Sequence, residues 1–266
     1  MRELQFDYRM TIAFELPASN HRFSFRCIPA GGCCQQVVSL HNEVTPCDFL
    51  SYNRDSFGRL YCYGRVTAPH LALTLHISGL VLTGLAPGER TGPLHQVGIY
   101  RVPTPLTEAG EAVRALADTV PWESHEDGAL RSAEALMTLL QARMTYAPGT
   151  TGVRTTAEEA LRQGSGVCQD YAHIMLAVLR TRRIPCRYCA GLMIGEGESH
   201  AWVEVYSGGC WVAFDPTNHQ LVGDSCILFA PGRDAADCAI NQGVLTGGGQ
   251  QTLHITATVR EMTEGA

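Results

Sequence analysis

The chain has 266 residues, 45% of them hydrophobic and 17% charged, with a formal net charge of −6 at pH 7. This composition excludes extensive disorder. Without any Lys/Arg block it also speaks against nucleic acid or an anionic membrane as partner.

No run approaches the ~18 uninterrupted apolar residues of a membrane helix. The first twenty residues carry charges throughout and lack the apolar centre of a secretory signal, so the expected location is the cytoplasm. Eleven cysteines, an odd number, argue against a disulfide framework.

Taken in chain order, residues 1–102 predict a β domain. The runs 4–16, 21–29, 58–66 and 69–82 alternate apolar with polar residues or are rich in β-branched and aromatic ones, with Gly, Pro and Asn between them. Several short strands at this spacing suggest an antiparallel, sandwich-like domain. Residues 103–122 read as a connecting segment with a short helix, and 123–266 as a second domain. Helical periodicity covers 129–145. Residues 155–164 are a short helix capped by Thr155 or Thr156 and stopped at Gly164. Residues 168–183 read as a mostly buried helix, and three strands follow at 185–194, 200–206 and 210–216. Residues 221–250 look loop-rich, and 252–262 is a final strand, so the fold class is α+β.

The stretch GSGVCQDYAH, residues 164–173, puts Cys168 at the start of its helix. There, unpaired amides and the helix dipole favour negative charge, which a thiolate nucleophile needs. The same amides can hold an oxyanion. The residues leave a second reading open, since a free cysteine is commonly a small buried hydrophobe. His173 is near in sequence, but five helical residues turn it roughly 140° away from Cys168. It is expected in the core.

A better base is His200. The strands around Gly208-Gly209 predict a hairpin pairing Tyr206 with Trp211 and Trp202 with Asp215. His200 and Asp215 then share one face, a diagonal apart and within side-chain reach. Cys186 and Cys189 form a CxxC, but strand residues three apart point to opposite faces, so a structural reading is preferred over zinc or redox chemistry. Cys33-Cys34 lie in a turn with no matching pair.

With these residues placed, the second half resembles the bacterial branch of the transglutaminase-like superfamily. GVCQDYAHIMLAVLRTRRIPCRY, SHAWVEVY and WVAFDPTN look like its three motif blocks in the right order. APGRDAADCAINQGVLTGGG resembles the loop that follows them, and DSFGRLYCYGRVTAPHLALTL resembles the domain that commonly precedes the core. The resemblance implies a papain-like α+β core in which a Cys-bearing helix packs on an antiparallel sheet. It also implies acyl transfer through a thioester, with no cofactor and no metal in the chemical step.

On this reading Cys168 is the nucleophile, His200 the base and Asp215 its orienter. Gln163 is a candidate second oxyanion donor, with a solvated residue at the end of the preceding helix the preferred reading; Asn218 is a supporting or a turn residue, and Trp202 a shield over the ion pair or simply a core residue. One departure from the family pattern stands at Leu192, where an aromatic residue lining the cleft is expected. The expected partner is a peptide or protein substrate, and the expected activity that of a cysteine peptidase or amidase. The alternatives are glutamine-to-amine crosslinking through the same acyl-enzyme and, in another class, a non-catalytic interaction scaffold. The segment MIGEGES is expected to be a mobile lip or a solvated hairpin loop.

Overall fold

The computed structural model describes residues 1–32, 34–85, 97–123 and 128–262. Five strands open the chain: β1 (Arg2–Phe25), β2 (Gln35–Thr45), β3 (Phe49–Arg54), β4 (Leu60–Val66) and β5 (His70–Thr83). Helices α1 (Glu111–Thr119) and α2 (Gly128–Arg143) follow, then the short strand β6 (Thr145–Tyr146), α3 (Ala157–Gln163), β7 (Ser165–Gly166) and α4 (Cys168–Thr181). The remainder is β8 (Cys186–Met193), β9 (Gly195–Gly197), β10 (His200–Ser207), β11 (Cys210–Asp215), β12 (Gln220–Val222), β13 (Cys226–Gly232), β14 (Asn241–Gly247) and β15 (Gln251–Glu261). This is the expected α+β architecture.

An eight-stranded antiparallel sheet is built around β1. The first half of β1 lies between β5 and β15; its second half lies between β4 and β14. The two runs read from sequence as separate strands, 4–16 and 21–29, are therefore one strand. Its register shifts near Asn20, which takes a left-handed φ of 49° that Asn tolerates better than most residues. β2 and β3 carry few buried residues, so they lack the alternation that marks a strand in sequence.

Alternation along β1 buries Leu4, Phe6, Tyr8, Met10, Ile12 and Phe14 on one face. Each such side chain contributes about 1.5–3 kcal/mol relative to exposure. That face meets the second sheet, where Tyr8 packs edge-on against Phe229 of β13 with ring centroids 5.6 Å apart. One hydrophobic cluster runs through both halves of the chain. Polar ties reinforce the junction: the Gln35 side chain donates to the Leu228 carbonyl and accepts from the Leu228 amide, both at 2.8 Å.

The second sheet is also antiparallel, in the order β12-β11-β10-β8-β13. α4 packs on one of its faces, against Cys186, Tyr188, Ala190, Val203 and Val205. The far end of α4 is anchored by Arg180, whose buried guanidinium donates to Thr107 and to the carbonyls of Tyr100, Cys186 and Arg233.

Three expectations change. Residues 221–250 are not mainly loop: they contain most of β12 and all of β13 and β14. The last two strands hydrogen-bond to β1, so the two ends of the chain share one sheet. The segment expected as a lip contains β9, which pairs with β15 through Gly195↔Val259 and Gly197↔Ala257.

Helix α3 begins at Thr156, whose hydroxyl accepts from the Glu159 amide while Glu159 accepts from the Thr156 amide. It ends at Gly164 with a left-handed φ of 70°. Of the two expected caps, Thr156 is the one used. Thr156→Ala is expected to lower stability by about 1 kcal/mol, which urea unfolding would measure.

Candidate active site

Cys168 is the first residue of α4 and is half-buried. At that position its amide has no partner within the helix. The turn before it is fixed by Asp170, whose Oδ2 accepts from the Val167 amide at 2.8 Å and from the Thr151 hydroxyl at 2.6 Å. Burial pushes the Asp170 carboxyl up. On the other flank, β6 runs parallel to β7, with Tyr146 opposite Gly166, two residues before the cysteine. Burial pushes the Tyr146 phenol up, with further contributions from Cys168 and Glu198.

The hairpin has the register read from the sequence. Tyr206 pairs with Trp211 and Val203 with Phe214, turning through Gly208 and Gly209 at φ 58° and 88°. Positive φ at both positions is what a tight hairpin turn requires and glycine supplies. His200 Nε2 and Asp215 Oδ2 are 2.9 Å apart. Cys168 interacts with the same imidazole and helps to raise its pKa. The structure thus brings Cys168, His200 and Asp215 together from α4, β10 and β11.

Burial opposes the His200 cation. Hydrogen bonds to Asp215 and Cys168, with their charges, outweigh it and push the imidazole up to about 10. Burial likewise opposes the Asp215 carboxylate, but His200 and Asn218 hold its pKa below the usual value. Because the folded His200 pKa lies above 6.5, its contribution to stability is complete below about 6.5 and is lost as pH rises through about 10. The Asp215 contribution is complete above 3.8 and is lost as pH falls through its lower folded value. Removing the thiol in Cys168→Ala should lower the His200 pKa, read by NMR titration of the imidazole. An unchanged value would mean that the two side chains do not interact.

Asp215 is fully buried and well supplied with donors. Its Oδ1 accepts from the Thr217 amide at 3.0 Å and the Asn218 amide at 3.2 Å, and its Oδ2 from Asn218 Nδ2 at 2.7 Å. Asn218 therefore supports the aspartate directly. From α2, Gln141 Nε2 donates to the carbonyls of Pro216 and Thr217, pinning the turn that carries it.

Trp202 is buried on the His200 face of β10 in a small cluster with Cys189 and Val222. Its ring lies over Gly191, the residue paired with His200. A Cβ at Gly191 would sit 2.1 Å from the Ile227 carbonyl oxygen and 2.6 Å from Trp202 Cη2. Gly191→Ala is therefore expected to cost about 1–3 kcal/mol of stability, seen as a lower melting temperature.

Gln163 is exposed at the end of α3, and both its amide hydrogens are engaged, one by the Thr150 carbonyl and one by Ser165 Oγ. The structure does not aim this side chain at the thiol. His173 is fully buried, accepts from the Ala235 amide at 3.1 Å, and burial lowers its pKa to about 4. Leu192 is fully buried in the main core, so it does not line an open cleft. Cys186 joins the main core and Cys189 the cluster on the opposite face, which separates the CxxC thiols. Cys34 is exposed, and Cys33 lies outside the described residues.

The sequence did not single out Asp170 or Gln141. Asp170 had a signal, an acid at the third helical position, where it can reach back to the first amides. Gln141 acts through a tertiary contact that no local pattern announces.

Two family models match the chain: the transglutaminase-like superfamily over residues 114–216 and the bacterial transglutaminase-like N-terminal region over residues 4–82. The chain is 29% identical over 269 residues to uncharacterized protein ML0607 of Mycobacterium leprae, covering 94% of this chain and 95% of that one. It is 30% identical over 235 residues to uncharacterized protein Rv2569c of Mycobacterium tuberculosis, covering 76% and 74%. Among solved structures, a candidate cysteine protease from Cytophaga hutchinsonii superposes with a TM-score of 0.81 at 20% identity, covering 100% of this chain and 92% of that one. That likeness establishes the fold.

Proposed function

Because this chain belongs to the transglutaminase-like superfamily, we propose that it is a thiol acyl-transfer enzyme that hydrolyses peptide or glutamine-type amide bonds. The observation that carries the proposal is the pair His200–Asp215, 2.9 Å apart, interacting with Cys168 at the start of α4.

The Cys168 sulfur, its proton already held by His200, attacks the carbonyl carbon of the amide. The tetrahedral oxyanion forms beside the Cys168 amide at the helix N-terminus. As the C–N bond breaks, His200 returns the proton to the departing amine, leaving a thioester on Cys168. A water molecule, deprotonated by His200, then attacks the thioester. The carboxylic acid leaves, and the thiolate and imidazolium are restored. Asp215 holds Nε2–H, which fixes the tautomer and stabilises the imidazolium.

Hydrolysis and amine transfer share the thioester and differ in what resolves it. Partial exposure of the His200 side chain, 17%, supports water as the acceptor. The discriminating experiment incubates glutamine-containing peptides with and without a primary amine and follows the products by mass spectrometry. Free acid in both arms is the expected result. Amine adducts dominating the second arm would overturn the hydrolase reading, and no turnover in either arm would favour a scaffold.

A further inference from the structure

A second surface lies away from Cys168, on the exposed face of the large sheet. Here β3, β4, the second half of β1 and β14 run side by side. Directly paired residues form a row across the four strands: Phe49 with Arg65, Arg65 with Arg22, and Arg22 with Val244. Tyr63 and Gln242 stand in the next row, on either side of Ser24. Between the rows is a groove of about 740 Å³. Its apolar walls are open to solvent, with Phe49 47%, Tyr63 39% and Val244 69% exposed.

The charge on this groove is unbalanced. Like charges directly opposite on neighbouring strands destabilise a sheet unless something neutralises them. Among the described residues, neither Arg22 nor Arg65 has a carboxylate within ion-pair distance. Asp48 offsets part of the Arg65 charge from beyond ion-pair distance, while its Oδ2 accepts from the Thr67 amide at 2.6 Å. The chain as a whole carries −6, so the arginine pair is a positive island on an acidic molecule. Two adjacent guanidinium groups beside solvent-exposed rings fit carboxylates flanked by apolar side chains.

We propose that this groove docks an acidic, apolar-bearing peptide segment of another protein, its carboxylates bridging Arg22 and Arg65 and its apolar side chains packing on Phe49, Tyr63 and Val244. The proposal is independent of the chemistry at Cys168. The groove would hold a protein partner, or a substrate at a distance from the bond to be cut.

The test is fluorescence anisotropy of the 266-residue chain with a labelled peptide, Ser-Leu-Glu-Leu-Glu-Leu-Ser, and its glutamine twin. Saturable binding of the acidic peptide is expected, weakening with added salt. Binding should fall ~10-fold or more in the Arg22→Glu/Arg65→Glu variant and for the glutamine twin. Phe49→Ser should weaken it by roughly threefold. An unchanged melting temperature in the variants shows that the fold is retained. No saturable binding, or equal binding by the charge-reversed variant, overturns the proposal. So does binding to phosphatidylglycerol vesicles, abolished by charge reversal, in place of peptide binding. A concentration-dependent dimer that the same variant dissociates would assign the groove to self-association instead.

Discussion

Cys168→Ala is expected to abolish amide turnover, with a fall of about 10⁴-fold or more, and to remove iodoacetamide labelling at about pH 6. A physical reason excludes seven of the other cysteines, while exposed Cys34 and half-buried Cys210 are told apart from Cys168 by peptide mapping. Cys27, Cys62, Cys186, Cys189, Cys226 and Cys238 are all pushed up by burial and stay protonated there. Cys47 is pushed up as well. Cys168 is half-buried at a helix start and interacts with the His200 imidazole, which is pushed up to about 10. Peptide mapping of the labelled protein checks the site directly. Equal labelling of wild type and variant would sink the nucleophile assignment, and turnover surviving in the variant would sink the reaction.

Asp215→Asn is expected to lower kcat by about 10⁴-fold with little change in KM. The carboxylate accepts from His200 Nε2, Asn218 Nδ2 and two backbone amides. An asparagine has one acceptor oxygen and one NH₂ group, so it must present hydrogens either to Asn218 and His200 or to the backbone amides. Either choice breaks contacts, and the first favours the wrong imidazole tautomer. The His200 pKa, raised in part by the Asp215 charge, should fall with it. The alkaline limit of the pH–rate profile then moves to lower pH, a readout that a merely structural role would not move. A kcat within tenfold of wild type, with an unshifted alkaline limit, would remove Asp215 from the mechanism.

Much of the site was legible in sequence because its determinants are local. The Gly208-Gly209 turn fixes the β10–β11 register, and the register alone puts His200 and Asp215 on one face. The small-residue turn before Cys168 and the apolar helix after it place the thiol at a helix start. The angular argument against His173 holds for the same reason: helical geometry fixes its direction, and the structure buries it against the Ala235 amide.

The misreadings are all non-local. β2 and β3 are half-exposed strands without alternation. β12, β13 and β14 are short or glycine- and proline-bearing, so they read as loop. The segment before His200 reads as solvated because all three residues of β9 are exposed, yet its backbone hydrogen-bonds to β15. Exposure is visible in a sequence; the partner of an exposed backbone is not.

By itself the sequence determined the α+β class, the helix that begins at Cys168 and the hairpin that pairs His200 with Asp215, since each follows from residue-level geometry over a few turns or one hairpin. Only the tertiary structure decided that the first and last strands share a sheet, that β9 ties the flank of His200 to that sheet, and that Gln141 pins the turn after Asp215. It also set two arginines from β1 and β4 side by side on an open face. Those arrangements depend on which distant segments find each other when the core closes, and that is settled by complementary burial and hydrogen bonding across the whole chain.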